Sequence, residues 1–172
     1  MLLKAYNGIT PQLSPSVRAA ENATVVGDVT LGENVSLWYG ATLRGDAGPI
    51  RIGANTNLQD GVIIHDASQI PTVVGENVVV GHGAILHSCT VGDECLIGMG
   101  AILLNGCVIG EGSMVAAGAV VTEGKVFPPN SMLMGIPAKV VRTITPEERE
   151  EICRDAAGYV LRAQEQLPLA QS

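Results

Sequence analysis

VGENVVVGHGAIL, residues 74–86, holds two successive copies of one six-residue pattern, and Leu86 opens a third. The copies are VGENVV from Val74 and VGHGAI from Val80. The pattern extends in both directions. Toward the N-terminus stand LQDGVI from Leu58, IGANTN from Ile52, LRGDAG from Leu43, LWYGAT from Leu37, LGENVS from Leu31 and VVGDVT from Val25. Toward the C-terminus a five-residue unit, LHSCT, precedes VGDECL, IGMGAI, LLNGCV, IGEGSM and VAAGAV, and the series ends near Val121. Position one is Leu, Ile or Val, and position two is often Gly. Position five is small, as at Val29, Val35, Ala41, Val62, Val78, Ala84, Ala101 and Ala119.

A period of this length marks a solenoid. Each unit reads as a short strand and a tight bend, and three units make one triangular coil. The branched residue and the small residue point into a narrow prism, and glycine permits the bend. Coils stack at the strand spacing of about 4.8 Å, each burying its faces on its neighbours. The expected fold is an all-β solenoid, a parallel β-helix of hexapeptide repeats, with a C-terminal α-helix. Its segments are a lead-in over 1–12, the β-helix over 13–126, a connecting segment over 127–144, the helix over 145–167 and a frayed tail over 168–172. The helix boundaries come from Thr145 as N-cap, Pro146 as first helical residue and Glu148 closing a capping box. Ile152, Ala156, Tyr159, Val160, Ala163 and Leu167 share one helical face.

Composition agrees. Hydrophobic residues make up 47% but aromatics only 3%, with 21 glycines, which suits a narrow core of small branched side chains. The net charge of −7 gives no basic footprint for nucleic acid. No apolar run reaches the roughly 18 residues of a membrane span, and the N-terminus lacks a signal-peptide core. A cytoplasmic protein is expected. Cys95 and Cys107 fall at position five and Cys89 at its equivalent, so they read as small buried residues. Disulfides are not expected in that compartment.

Two insertions interrupt the period, near Ala47–Arg51 and at Asp66–Thr72, and loops leaving a regular scaffold often carry function. They flank the three histidines of the chain, His65, His82 and His87. His65 and His87 both occupy position two, one full coil apart, so they stack on one face with Arg44 a coil below. His82 occupies position three on another face, above Asp60 and beside Gln59. Around a three-fold axis, the His82 face of one chain can meet the next chain's face carrying Arg44, Asp46, His65 and His87. Three histidines then converge on each interface, as closed symmetry allows. Three neutral imidazoles are the ligand set of a catalytic zinc with one open position, where bound water ionises near pH 7. Arg44, Asp46 and Asp60 read as an inter-subunit ion-pair network, a role compatible with shaping the site. Gln59 reads as an amide orienting a hydroxide or as a surface amide, and Tyr159 as a helix-face core residue. Asp66 or backbone carbonyls are the candidates for orienting the rings.

Arg44-Gly45-Asp46, Gln59-Asp60, His65, His82-Gly83 and His87, on a hexapeptide background with a C-terminal helix, resemble the gamma-class carbonic anhydrase family from about Ala5 to Ala163. The resemblance implies a left-handed helix and a homotrimer with Zn2+, or alternatively Fe2+ or Co2+, at each interface. It implies that His65 and His87 come from one subunit and His82 from the next. Gln59 would position the hydroxide, Arg44 would pair with Asp60 across the interface near Asp46, and Tyr159 would approach from the C-terminal helix. The implied reaction is reversible hydration of CO2 to bicarbonate. Two features depart from the family pattern: Ala47 replaces a glutamate, and the short Asp66–Thr72 loop holds none. A shuttle is what removes the product proton quickly, so slow turnover is expected. The alternatives are a hexapeptide acyltransferase using coenzyme A, with a histidine as general base, and a catalytically inactive metal-binding or assembly homologue.

Overall fold

The computed structural model describes residues 1–68 and 70–170. The chain winds into a parallel β-solenoid of about seven turns, followed by one helix, Pro146–Gln166. The first face carries Ile63–His65, Ile85–His87, Ile102–Leu103 and Val120–Val121 as successive rungs. The second carries Thr72–Val74, Thr90–Val91, Val108–Ile109 and Val126–Phe127. The third carries Ser36–Leu37, Asn57–Leu58, Val79–Val80, Leu96–Ile97 and Met114–Val115. Two longer strands, Thr24–Leu31 and Thr42–Ile52, run along the first face and continue around a corner onto the second. No described helix is long and apolar enough to cross a membrane.

Position-one residues form the core. Leu43, Ile64, Leu86, Leu103 and Val121 stack one above another and are fully buried. Cys89, Cys95 and Cys107 lie in the same core as free thiols, as their position in the repeat requires. The bends divide the work of glycine in two. The left-handed turn sits at position four, where Gly61, Gly83 and Gly100 have φ near +65 to +68 and Asn34, Asn55 and Asn77 adopt +55 to +58. Those asparagines stack as a ladder, each side-chain amide donating to the next carbonyl oxygen at 3.1 Å. Position-two glycine has another cause. A Cβ on Gly53 would lie 2.5 Å from the backbone of Gly75 in the next coil, so glycine there makes room for stacking.

The solenoid extends beyond residues 13–126. Leu2–Lys4, expected as part of a lead-in, pairs with Thr24–Val26 and adds a rung to the first face. Ser131–Gly135, expected in the connecting segment, adds a rung to the third face, because Leu133 continues the buried column. Ala138–Thr143 then returns antiparallel to it. The tail is docked as far as Ala170: Ala19 N–H donates to Pro168 O at 3.2 Å, and Ala170 N–H to Val17 O at 2.9 Å. Gln171 and Ser172 of the expected frayed tail lie outside the described residues.

The helix starts at the capping box read from the sequence, with Thr145 accepting from Glu148 N–H and Glu148 accepting from Thr145 N–H. Arg149 ties the first turn to the solenoid through Glu94 at 2.6 Å and Asn130 at 3.1 Å. The far end is held by Arg18, which donates to Leu167 O at 2.7 Å. The helix therefore lies along the third face of its own solenoid, with Ile152, Ala156 and Ala163 buried.

Replacing Leu103 by Ala removes a fully buried side chain from the stack. Denaturant titration should show a loss of about 2–5 kcal/mol. A second expectation concerns acid. Hydrogen bonds from Arg142 and from Thr145 N–H hold the exposed Glu148 carboxyl at about 2, below its ordinary 4.5. Because the folded value is the lower one, its stabilising effect is complete above 4.5 and fades as pH falls toward 2. The acid titration of helicity in Glu148→Gln should lack this component when followed by circular dichroism.

Candidate metal centre

Strand alternation turns Ile64 and Leu86 inward, so His65 and His87 face outward. His65 lies directly opposite His87 in the next rung, and Arg44 opposite His65 in the rung below. The two ring centroids are 5.0 Å apart. Each ring has one nitrogen engaged by an oxygen that can only accept. His65 Nε2 stands 3.0 Å from Asp46 Oδ1, and His87 Nδ1 lies within hydrogen-bond distance of Asn105 Oδ1. Each imidazole must donate there, which fixes the proton. The remaining nitrogens, His65 Nδ1 and His87 Nε2, then carry lone pairs and face each other at 3.0 Å. Two lone pairs at that distance repel unless a proton or a cation lies between them. Two imidazole nitrogens on one tetrahedral zinc sit about 3.3 Å apart, from Zn–N bonds of about 2.0–2.1 Å. The residues present fit a divalent metal.

The surrounding charges support the pair. Burial pushes the Asp46 carboxyl upward, but hydrogen bonds from Arg44 and His65 outweigh it and hold it below its usual value. Asp66 is fully buried; one oxygen accepts from Ala47 N–H at 3.2 Å and the other has no partner. Burial raises its pKa. Ligand atoms of Asp46, His65 and Asp66 all lie within 4.8 Å of one another, the one such cluster among the described residues. The two insertions thus meet at Asp66. Ser88, at φ +48 in the five-residue unit, and Thr72 brace the second insertion: Ser88 Oγ donates to Ile70 O at 3.2 Å, and Thr72 Oγ1 to His65 O at 2.8 Å.

His82 belongs to a different surface. It follows Val79–Val80 on the third face, and its Nδ1 lies 2.9 Å from Asp60 Oδ2, leaving Nε2 free. It is about half exposed, at 47%. Beside it a groove of about 500 Å³ runs between the third face and the helix, lined by Gln59, His82, Met99, Met114, Tyr159 and Arg162 among others. Gln59 is buried, and its amide donates to Asn57 Oδ1 at 3.3 Å. Tyr159 packs edge-on against Trp38 at 5.6 Å, with the Arg162 guanidinium 5.0 Å above its ring. Burial raises the Tyr159 hydroxyl pKa.

The candidate residues therefore fall into two separate groups. Arg44, Asp46, His65 and His87 share the first face, and Gln59, Asp60, His82 and Tyr159 gather on the third. Within the chain Arg44 pairs with Asp46 and Asp60 with His82. Asp66 does not orient either stacked ring through a hydrogen bond; Asp46 and Asn105 do. Asn57 and Asn105 were missed by sequence reasoning. Asn57 carried a weak signal: it stands between Ser36 and Val79 in a column whose later rungs place Leu96 and Met114. Asn105 precedes Gly106 at position three of the unit from Leu103, where the repeat itself gives no signal.

Comparison with known proteins bears on the fold and the family. The hexapeptide repeat family described as "Bacterial transferase hexapeptide (six repeats)" matches residues 71–105 and 88–123. A "Probable carbonic anhydrase" of Methanocaldococcus jannaschii is 51% identical over 86% of this chain and 93% of its own length. "Gamma carbonic anhydrase 2, mitochondrial" of Arabidopsis thaliana is 42% identical over 90% of this chain, which spans 58% of that protein. A hexapeptide transferase family protein from Anaplasma phagocytophilum superposes with a TM-score of 0.93 at 39% identity, covering 96% of this chain and 98% of that one. With its hexapeptide coils, its stacked histidines and relatives this similar over most of its length, the chain belongs to the gamma-class carbonic anhydrase family.

Proposed function

We propose that the protein is a cytoplasmic carbonic anhydrase that reversibly hydrates CO2 to bicarbonate and a proton. It acts as a homotrimer with a Zn2+ site at each subunit interface; Fe2+ and Co2+ are the alternative metals. The observation that carries the reading is the convergence of two imidazole lone pairs at 3.0 Å, each ring already fixed by an acceptor on its other nitrogen. His65 and His87 would hold the metal from one subunit, and Nε2 of His82 would complete the set from the next. Bound zinc supplies a Lewis acid that brings the ionisation of water to about pH 7.

The chain's own residues do the rest. Asp46 holds the proton on His65 Nε2 and is itself balanced by Arg44. Gln59, braced by Asn57, lines the groove beside His82 and orients the attacking water. Arg44 and Asp60, both on exposed surface, pair across the interface. Tyr159 closes the groove from the helix side. The product proton must leave to solvent. Ala47 and the Asp66–Thr72 loop offer no glutamate to carry it, so a soluble buffer takes that role and turnover is slow without one.

His82→Ala should lose stoichiometric zinc while the circular dichroism of the solenoid stays unchanged; undiminished zinc content rules out the shared site. Stopped-flow CO2 hydration by zinc-loaded protein should rise with imidazole buffer concentration. Metal without hydration under those conditions identifies an inactive homologue, and coenzyme A binding with no metal requirement identifies an acyltransferase. Tyr159 separates packing from catalysis: Tyr159→Phe should slow hydration at wild-type thermal stability, whereas Tyr159→Ala should also cost about 1–3 kcal/mol in denaturant titration.

A further inference from the structure

Asn105 follows the rung Ile102–Leu103, one coil beyond His87. Its backbone carbonyl is already committed, accepting from Gly124 N–H at 2.9 Å. Its side-chain oxygen reaches His87 Nδ1. A carboxamide oxygen has no proton to give, so His87 must place its proton on Nδ1. That leaves His87 Nε2 bare toward His65 Nδ1. If the acceptor were missing, the proton could move to Nε2 and occupy the space between the rings.

The other two histidines obtain the same service from carboxylates, His65 from Asp46 and His82 from Asp60. Asn105 is the neutral member of this trio. It fixes a tautomer without adding negative charge to a site that already holds Asp46 and the buried Asp66. We infer that Asn105 is a positioning residue: it holds His87 in the Nδ1–H form and so keeps the Nε2 lone pair aimed at the divalent-cation seat shared with His65. This rests on the metal-centre reading above. A purely structural role, as part of the Asn105-Gly106 turn where Gly106 has φ +68, is the competing account.

The test uses the full chain, 15N-labelled at its three histidines and assigned by single His→Ala variants. In the metal-free protein, long-range 1H–15N spectra should show His87 protonated at Nδ1. Asn105→Ala should shift His87 toward the Nε2–H form and weaken zinc binding about 10–100-fold in competition with a chelator. Asn105→Asp, which keeps an acceptor, should retain the wild-type tautomer and bind zinc within a few-fold of wild type. The inference is overturned if Asn105→Ala keeps both the wild-type His87 tautomer and wild-type zinc affinity. It is equally overturned if affinity falls together with melting temperature while the His87 nitrogen shifts stay put, because that is the structural role. Wild-type protein that binds zinc no better than His87→Ala overturns the metal-centre reading and the inference with it. An unaffected Asn105→Ala in a wild type that does bind through His87 overturns the inference alone.

Discussion

Backbone hydrogen bonds between successive coils are the constraint on which the rest depends. Each rung pairs in parallel register with the one before it, as Ile63–His65 does with Ile85–His87 and Ile102–Leu103 with Val120–Val121. The register is held by the inward side chains. A slip of one residue would turn Leu86 out and His87 into an apolar prism, at the cost of burying an unpaired imidazole. The same physics that packs the core therefore sets the histidines one above the other. The spacing of the two stacked rings is inherited from the spacing of a sheet.

What the scaffold leaves open, the insertions close. Regular coils would present His65 and His87 on a bare face. The detour through Ala47–Arg51 accompanies Asp46 alongside His65, and the detour through Asp66–Thr72 packs against it through the buried Asp66 carboxylate. Arg44 offsets the charge that this concentrates, and its hydrogen bond helps keep Asp46 ionised despite partial burial. The acceptors around the rings decide their protonation, and so decide which nitrogens are available for coordination. Two of the acidic residues here serve ring orientation, Asp46 at His65 and Asp60 at His82.

The helix gives the groove beside His82 its shape. It is anchored at both ends by side chains from different coils, Glu94 and Asn130 near its start and Arg18 at its finish. Between those anchors Tyr159 is pressed against Trp38, and the groove beside His82 follows from that placement. The two groups of candidate residues therefore lie on different faces of one prism, His65 and His87 on the first and His82 on the third.

The six-residue period by itself determined the coil, the buried column from Leu43 to Val121 and the stacking of Arg44, His65 and His87, while Thr145, Pro146 and Glu148 determined the helix start. All of these are local or strictly periodic, so counting reaches them. Only the tertiary structure decided which bends carry the left-handed residue, since position-two and position-four glycines look alike in sequence but answer to crowding between coils and to φ respectively. It also decided that Leu2–Lys4 joins the stack and that the tail docks on Val17 and Ala19, because edge pairing needs a free strand edge and not a repeat signature. Asn105 and Asp46, and not Asp66, hold the stacked rings, because a side-chain hydrogen bond depends on rotamers and on loops meeting from separate coils. Periodicity fixes the column a residue stands in; the atoms it touches are fixed by packing in three dimensions.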